Sequence, residues 1–291
     1  MSSRLALGTV QFGIPYGIAN RAGQVSRDEA DAILHHAWSV GIDTIDTAIS
    51  YGVSEQRLGD IGVRPWKIVT KLPVIPESCT DVAAWVQESV QGSLARLGIP
   101  TLHALLLHCS QQLLGPQGDA LWSALLVLKE RGLVEKVGVS IYAPDELDAV
   151  WPKFRVDVVQ APFNILDRRI SSSGWLNRLS AAGTEIHVRS VFLQGLLLMG
   201  ATARSAKFDR WKPLWRRWHQ WLADEQLTPV QACLGFALSH AKIHRVVVGV
   251  DSLPQFWEVL ASAGVATPTP PDSLMSEELP LINPSSWNVP E

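Results

Sequence analysis

Charge is scarce and nearly balanced in this sequence: 25 Lys and Arg stand against 28 Asp and Glu, for a net −3 and a pI near 6.2. It lacks the basic excess that holds nucleic acid or an anionic membrane surface. It also lacks any run of the ~18 apolar residues that a membrane-spanning helix needs. Met1-Ser2-Ser3-Arg4-Leu5 opens without a useful apolar stretch, so no signal peptide is expected. Cysteine is almost missing. Cys79, Cys109 and Cys233 are odd in number, far apart and without a CxxC spacing. That argues against a disulfide framework or a zinc site and fits a reducing cytoplasm. Two phosphate-binding signatures are absent too: no GxGxxG follows the first apolar run, and no GxxxxGK precedes a Ser or Thr. A Rossmann domain and a P-loop enzyme are thereby disfavoured.

What is present is apolar bulk, with 47% of residues hydrophobic and 18% charged. Short apolar runs predict strands at 5–10, 44–48, 67–71, 102–107, 134–140, 156–161, 185–192 and 245–250. Helical stripes fall between them. Ser26-Arg27-Asp28-Glu29 is a capping box for the first, Thr80 or Asp81 caps the helix that Gly98 and Pro100 end, and Pro229 opens another. The rhythm breaks at 201–227, where Trp211, Trp215, Trp218 and Trp221 recur at helical spacing, so an inserted helix is expected there. No linker or shift of composition divides the chain. A doubly wound sheet is an alternative, but eight such units suit a (β/α)8 barrel, commonly ~250 residues in one domain. The expectation is one barrel over 1–291, with the Trp-rich helical insert after strand 7 and an irregular Pro-rich tail at 268–291.

The stretch 44–55 organises this frame. Thr44-Ile45-Asp46-Thr47-Ala48 reads as a buried strand carrying an acid near its end, Tyr51 follows, and Ser54-Glu55 opens a helix. Asp46 and Tyr51 thus sit at the C-terminal mouth of a strand and on the loop after it, where such barrels carry their chemistry. A buried acid is costly unless paired. The next two strands offer partners, Lys71 at the end of one and His108 at the end of the other. Singly, each has a structural reading: a turn acid, a packed tyrosine, a rim lysine, a satisfied core histidine. The four in order on successive strand ends favour a catalytic constellation.

Several motifs together resemble the aldo-keto reductases. They are Gly8-Thr9-Val10-Gln11-Phe12-Gly13, the string from Asp46-Thr47-Ala48 through Tyr51-Gly52 and Ser54-Glu55 to Leu58-Gly59, Thr70-Lys71, Leu107-His108, Gly138-Val139-Ser140 and 159–164. The likeness runs from about Leu5 to Leu260, with the Trp-rich insert outside it. It implies a catalytic tetrad on Asp46, Tyr51, Lys71 and His108, and reduction of an aldehyde or ketone, or the reverse oxidation of an alcohol or sugar. The implied chemistry is coherent. A phenol of pKa about 10 is a weak general acid or base at neutral pH unless a neighbouring ammonium favours the phenolate. Tyr51 is then the proton donor, Lys71 its tuner, Asp46 the anchor of Lys71, and His108 the group that orients the carbonyl oxygen or relays the proton.

The resemblance also implies a nicotinamide nucleotide. Ser140 and Gln160 are expected on its carboxamide, although Ile141 replaces the family's usual Asn. Arg189 stands where the family often stacks a Tyr on the nicotinamide. A guanidinium also stacks on rings, and a structural salt bridge is the equal alternative. Ser190, Leu193, Gln194 and Gly195 are expected to loop over the pyrophosphate, using backbone amides and hydroxyls. Gly249, Asp251 and Gln255 line the adenosine end. Family habit there is a basic residue for the 2′-phosphate of NADP and an Asn for the adenine; this chain has Asp251 and Val259. Family habit narrowly favours NADP(H), and a carboxylate that accepts a ribose hydroxyl favours NAD(H).

Other features have bland readings. The tryptophan stripe is expected to pack on the barrel, with an aromatic wall for a sugar as the alternative. His35 and His36 read as solvated, Cys109 as an inert thiol beside His108, and Asp167-Arg168-Arg169 as a charged rim. The leading expectation is a cytoplasmic NAD(P)H-dependent oxidoreductase acting on a small carbonyl or sugar, monomeric by default, with no nucleic acid and no membrane partner. A nicotinamide-nucleotide sensor with little turnover and a Schiff-base aldolase or isomerase using Lys71 are the alternatives. Substrate choice is expected to lie in the loops 13–23 and 109–118, the insert and the tail.

Overall fold

Strands buried on both faces are near-continuous apolar runs, and the computed structural model, which describes residues 4–287, pairs eight of them in parallel. They are β1 Leu5–Gly8, β2 Thr44–Asp46, β3 Lys67–Leu72, β4 Leu102–Leu107, β5 Val134–Ser140, β6 Val158–Pro162, β7 Glu185–Arg189 and β8 Arg245–Gly249. Each pairs with the next, and β1 pairs with β8 from Leu5↔Val246 to Gly8↔Gly249, which closes the sheet into the expected (β/α)8 barrel. The opening Met1-Ser2-Ser3 and the last residues of the 268–291 tail lie outside the described residues.

Helices cover the outside: α1 Arg27–Ser39, α2 Ser54–Ile61, α3 Val82–Leu97, α4 Gly118–Glu130, α5 Asp145–Val150, α6 Trp175–Ala181, α7 Lys212–Asp224, α8 Pro229–Ser239 and α9 Leu253–Ser262. Ser26 caps α1 by accepting from the Glu29 amide, and Asp81, rather than Thr80, caps α3 by accepting from Ala84. Four expected strands stop earlier in the structure, at Gly8, Asp46, Arg189 and Gly249. The apolar residues beyond them, such as Val191 and Val250, are buried because their loops turn inward over the barrel mouth. Burial, not extension, explains their apolar character. A helical turn at Val10–Gly13 stands where a loop was expected.

Period-two alternation fills the barrel. Val69, Ala104, Leu106 and Val158 form a small cluster separate from the core beneath the helices. Lys71 and Gln160 are the next residues on the same faces of β3 and β6, so a polar layer lies above that plug at the C-terminal mouth. At the opposite end, Glu185 accepts from His187 and Lys136, and it pairs with His103.

The insert is α7, preceded by a 3-10 turn at Ala206–Trp211. Trp215, Trp218 and Trp221 are buried; Trp218 Nε1 donates to the Leu197 carbonyl and Trp215 Nε1 to that of Phe208. The stripe therefore packs, and none of its tryptophans lines the main cavity. Asp167-Arg168-Arg169 is not a solvated rim. Asp167 is fully buried under Arg169, and Arg168 donates to the Pro271 carbonyl and to Asp272, clamping the tail. From Pro268 on, the tail carries short helical turns and buries Leu274, Leu281 and Ile282. His36 packs edge-on against Phe256 and Trp257 instead of being solvated. No described helix is long and apolar enough to cross a membrane.

Candidate active site

The spacing of the 46–59 string has a packing cause. Ser54, at the start of α2, donates to the Thr9 carbonyl at 2.9 Å and lies 3.1 Å from the Thr47 hydroxyl, while the Thr9 amide donates to the Asp46 carbonyl at 3.0 Å. The ends of β1 and β2 are thereby tied to α2. The turn after β1 approaches the Tyr51 loop so closely that a Cβ on Gly13 would lie 1.6 Å from the Tyr51 carbonyl oxygen. Only glycine allows that contact. Glu55, read from sequence as a first-turn residue, is buried and does more. It accepts from Thr70, Ser93 and the Arg96 guanidinium, binding α2 to β3 and α3. A Cβ on Gly59 would lie 1.9 Å from the Arg96 carbonyl, so the same close packing continues.

On this frame the four strand-end residues meet. Lys71 Nζ donates to Asp46 Oδ1 at 2.7 Å and to the Thr47 carbonyl at 2.9 Å, and both side chains of the pair are buried. Nζ lies 5.1 Å from the centre of the Tyr51 ring, which meets the His108 ring edge-on at 5.8 Å. The Tyr51 hydroxyl has no hydrogen-bond partner among the described residues, and the residue lines a cavity of about 620 Å³. His108 Nδ1 is 3.2 Å from the Ser50 hydroxyl.

Burial and nearby charges set the electrostatics of this group. Burial, then the Asp46 charge, raises the Tyr51 phenol above its ordinary value, and the cation that opposes them is Arg189. Lys71, the expected tuner, stands 5.1 Å from the ring centre with its ammonium bonded to Asp46. Burial also lowers Lys71, with Asp46 opposing. His108 is pushed down to about 4, first by burial and then by the charges of Lys71 and Arg189. It is therefore neutral at physiological pH. A plot of turnover against pH should show no inflection at the ordinary histidine value of ~6.5; a break there would mean that His108 titrates normally.

Asp46 is also held from a second side. Gln160 Nε2 donates to Asp46 Oδ2 at 2.6 Å, and Ser140 donates to Gln160 Oε1 at 3.4 Å. Both are buried, and Gln160, which was expected on a carboxamide together with Ser140, lines the cavity while it donates to the acid. Ser140 and Lys71 do not line the cavity, and neither does Leu193. Leu193 has φ of 49° and a fully buried side chain, so its left-handed backbone turns the apolar group inward. Ser190 and Gln194 are left-handed as well, at 59° and 53°. Such conformations cost about 1–3 kcal/mol each and mark functional loops. Asp46, Tyr51, His108, Gln160, Arg189, Ser190, Gln194, Gly195, Gly249, Asp251 and Gln255 all line the one cavity.

The loop 13–23 reaches over that cavity. Gln194 Nε2 donates to the Tyr16 hydroxyl at 3.0 Å, and Asn20 Nδ2 donates to Asp251 Oδ1 at 3.2 Å. Burial raises Asp251 above the usual carboxylate range. Tyr16, Asn20, Tyr142 and Glu258 are lining residues that sequence reasoning missed. Glu258 carried a signal: on α9 it shares a face with Gln255 and Val259 by helical spacing. Tyr16 and Asn20 fall in the loop 13–23 expected to shape substrate choice, but their individual partners, Gln194 and Asp251, lie on the loops after β7 and β8 and left no mark in the local sequence.

A model of the Aldo/keto reductase family matches residues 4–270 of the chain. The chain is 31% identical over 130 residues to an aldo-keto reductase of Mycolicibacterium vanbaalenii, a match covering 44% of this chain and 46% of that protein. It thus spans less than half of that relative's length. It is 24% identical over 286 residues to the D-threo-aldose 1-dehydrogenase of a Pseudomonas species, covering 84% of this chain and 87% of that protein. Among solved structures, an aldo-keto reductase of Bacillus halodurans in its holo form matches with a TM-score of 0.72 at 21% identity, over 91% of this chain and 88% of the other. At that identity the likeness speaks for the fold.

Proposed function

This chain belongs to the aldo/keto reductase family, and from that premise we propose that it interconverts a small carbonyl compound and its alcohol with a nicotinamide nucleotide, using Tyr51 as general acid and base. The observation that carries the reading is the Tyr51 hydroxyl. It is unpartnered among the described residues and faces the cavity, beside a neutral His108 and above the buried Lys71–Asp46 pair. A nicotinamide nucleotide supplies or accepts the hydride when bound. The chain's own residues handle the proton and the geometry. Tyr51 Oη gives its proton to the carbonyl oxygen in reduction and takes it back in oxidation. His108, being neutral, has a ring nitrogen free to hydrogen-bond the same oxygen and orient it. Asp46 holds Lys71 in place from below, and Gln160 holds Asp46.

The lining suits the nucleotide. The turn at 190–194, left-handed at Ser190, Leu193 and Gln194 and followed by Gly195, fits the phosphates, and Asp251, Gln255 and Glu258 fit the adenosine ribose. No Lys or Arg lines that end, and two carboxylates do. A 2′-phosphate meets only negative charge there, whereas a free 2′-hydroxyl donates to Asp251. We therefore read the preferred cofactor as NAD(H), against the narrow family habit of NADP(H). The Pseudomonas relative is named for oxidising an aldose, which makes a sugar or sugar-derived aldehyde a reasonable first substrate set.

The test is a titration of the purified protein with NADH and NADPH, followed by energy transfer from its 12 tryptophans. Saturable binding, tighter for NADH, is expected. Failure of both nucleotides to bind would remove the proposal, and binding without turnover of any aldehyde, ketone or sugar would favour the sensor reading.

A further inference from the structure

The catalytic end of the cavity holds one positive charge too many. Lys71 is neutralised by Asp46, and both oxygens of Asp46 are taken, by Lys71 and by Gln160. His108 and Tyr51 are uncharged at neutral pH. Arg189 remains. It lines the same cavity, and no carboxylate pairs with it among the described residues. The acids of the cavity other than Asp46, Asp251 and Glu258, stand at the other end. A half-buried guanidinium without a counter-ion is costly to keep unless an anion arrives.

Arg189 is also held still. Its Nη2 donates to the Ile141 carbonyl at 3.1 Å, its Nη1 donates to the Ser190 hydroxyl at 3.2 Å, and the guanidinium lies 4.8 Å above the Tyr142 ring. The platform beneath it is pinned in turn. Glu146 accepts from the amides of Tyr142 and Ala143 at 2.7 and 3.0 Å and from the Ser110 hydroxyl at 2.5 Å. Of the five N–H donors of a guanidinium, two are used, so three remain for a ligand. A fixed, uncompensated fork of this kind suits a planar carboxylate.

We propose that Arg189 seats an anionic group of the substrate, so that the protein prefers carbonyl compounds bearing a carboxylate close to the C=O. This rests on the carbonyl-reductase reading. The position is on the carbonyl side of the site. Arg189 lines the cavity with Tyr51 and His108 and is tied through the Ile141 carbonyl to the end of β5, so it shares the strand-end mouth with the groups that meet the reacting carbonyl. In a nicotinamide nucleotide, the ring and its ribose separate the hydride-bearing carbon from the pyrophosphate. A cation placed among those residues is therefore better sited for the substrate than for the phosphates.

The experiment compares matched pairs of substrates, succinic semialdehyde with butanal and para-carboxybenzaldehyde with benzaldehyde, in the wild type, Arg189→Gln and Arg189→Lys. The acid member of each pair is expected to have a kcat/KM about tenfold or more above its neutral partner. Arg189→Gln should collapse that ratio to near unity through KM, and Arg189→Lys should restore part of it, because charge returns without the fork. Benzoate binding by calorimetry gives a readout that needs no turnover, and Arg189→Gln should weaken it by about the same factor. Equal kcat/KM within each pair in the wild type, or benzoate binding that Arg189→Gln leaves unchanged, overturns the proposal. So does an equal loss for both members of a pair together with weaker NADH binding, which assigns Arg189 to the nucleotide. Absence of all carbonyl turnover with benzoate binding intact and Arg189-dependent removes the reductase reading and keeps the anion seat.

Discussion

Tyr51→Phe should lower kcat by about 10²–10⁴-fold while leaving the Kd for NADH within a few-fold, because general acid–base catalysis is typically worth that much and the ring is kept. The phenylalanine fills the same space against Lys71 and His108, so the cavity wall survives. The proton donor alone is lost. Single-turnover reduction and a nucleotide titration on the same preparation separate the two effects, and residual kcat near the wild-type level would take the proton-transfer role from Tyr51. The raised phenol adds a directional pH test. Burial and Asp46 keep Tyr51 protonated beyond the ordinary value of ~10. Reduction, which needs the protonated phenol, should stay flat through that pH. Oxidation, which needs the phenolate, should climb with pH. A fall in reduction well below that value would mean that ligand binding lowers the phenol, with Arg189 the cation already placed to contribute.

Asp251→Arg should raise the ratio of kcat/KM for NADPH to that for NADH by about 10²-fold. The change removes one repulsive charge from the 2′-phosphate and adds an attractive one. A pair of opposite charges ~4 Å apart is worth about 4 kcal/mol near a protein surface before screening and side-chain entropy reduce it. Asn20 loses its acceptor in the variant, so affinity for both nucleotides should fall somewhat with the loop 13–23 less firmly held. The ratio, not the absolute affinity, is the decisive readout. If it stays where the wild type has it, the adenosine ribose does not lie at the α9 end of the cavity.

Much of this site was readable residue by residue. Asp46, Lys71 and His108 each stand at or just beyond the end of an apolar run, and Tyr51 sits in a fixed frame between a strand and a helix start. Local pattern places such residues at the barrel mouth. Gln160 was legible as a cavity residue but not as the second holder of Asp46. The two are 114 positions apart, and the bond exists because β2 and β6 face each other across the barrel. Glu55 looked like a helix opener because its spacing is that of one, while its real partners, Ser93 and Arg96, are chosen by how α3 packs on α2. Asp167-Arg168-Arg169 looked exposed because charged triplets usually are. The returning tail buries it.

By itself, then, the sequence determined the alternation of strands and helices, the barrel that eight such units close into, and the order of the four strand-end groups. All of these follow from short-range periodicity and from where apolar runs stop. Tertiary structure alone decided the company those groups keep. It set Arg189, without a carboxylate partner among the described residues, in one cavity with Tyr51, put Asp251 and Glu258 on the wall of the same cavity, and brought Asn20 to Asp251 across 231 positions. The reason is physical: the sign and magnitude of a charge's effect depend on distance and burial, and barrel closure brings together residues whose separation along the chain carries no trace of their contact.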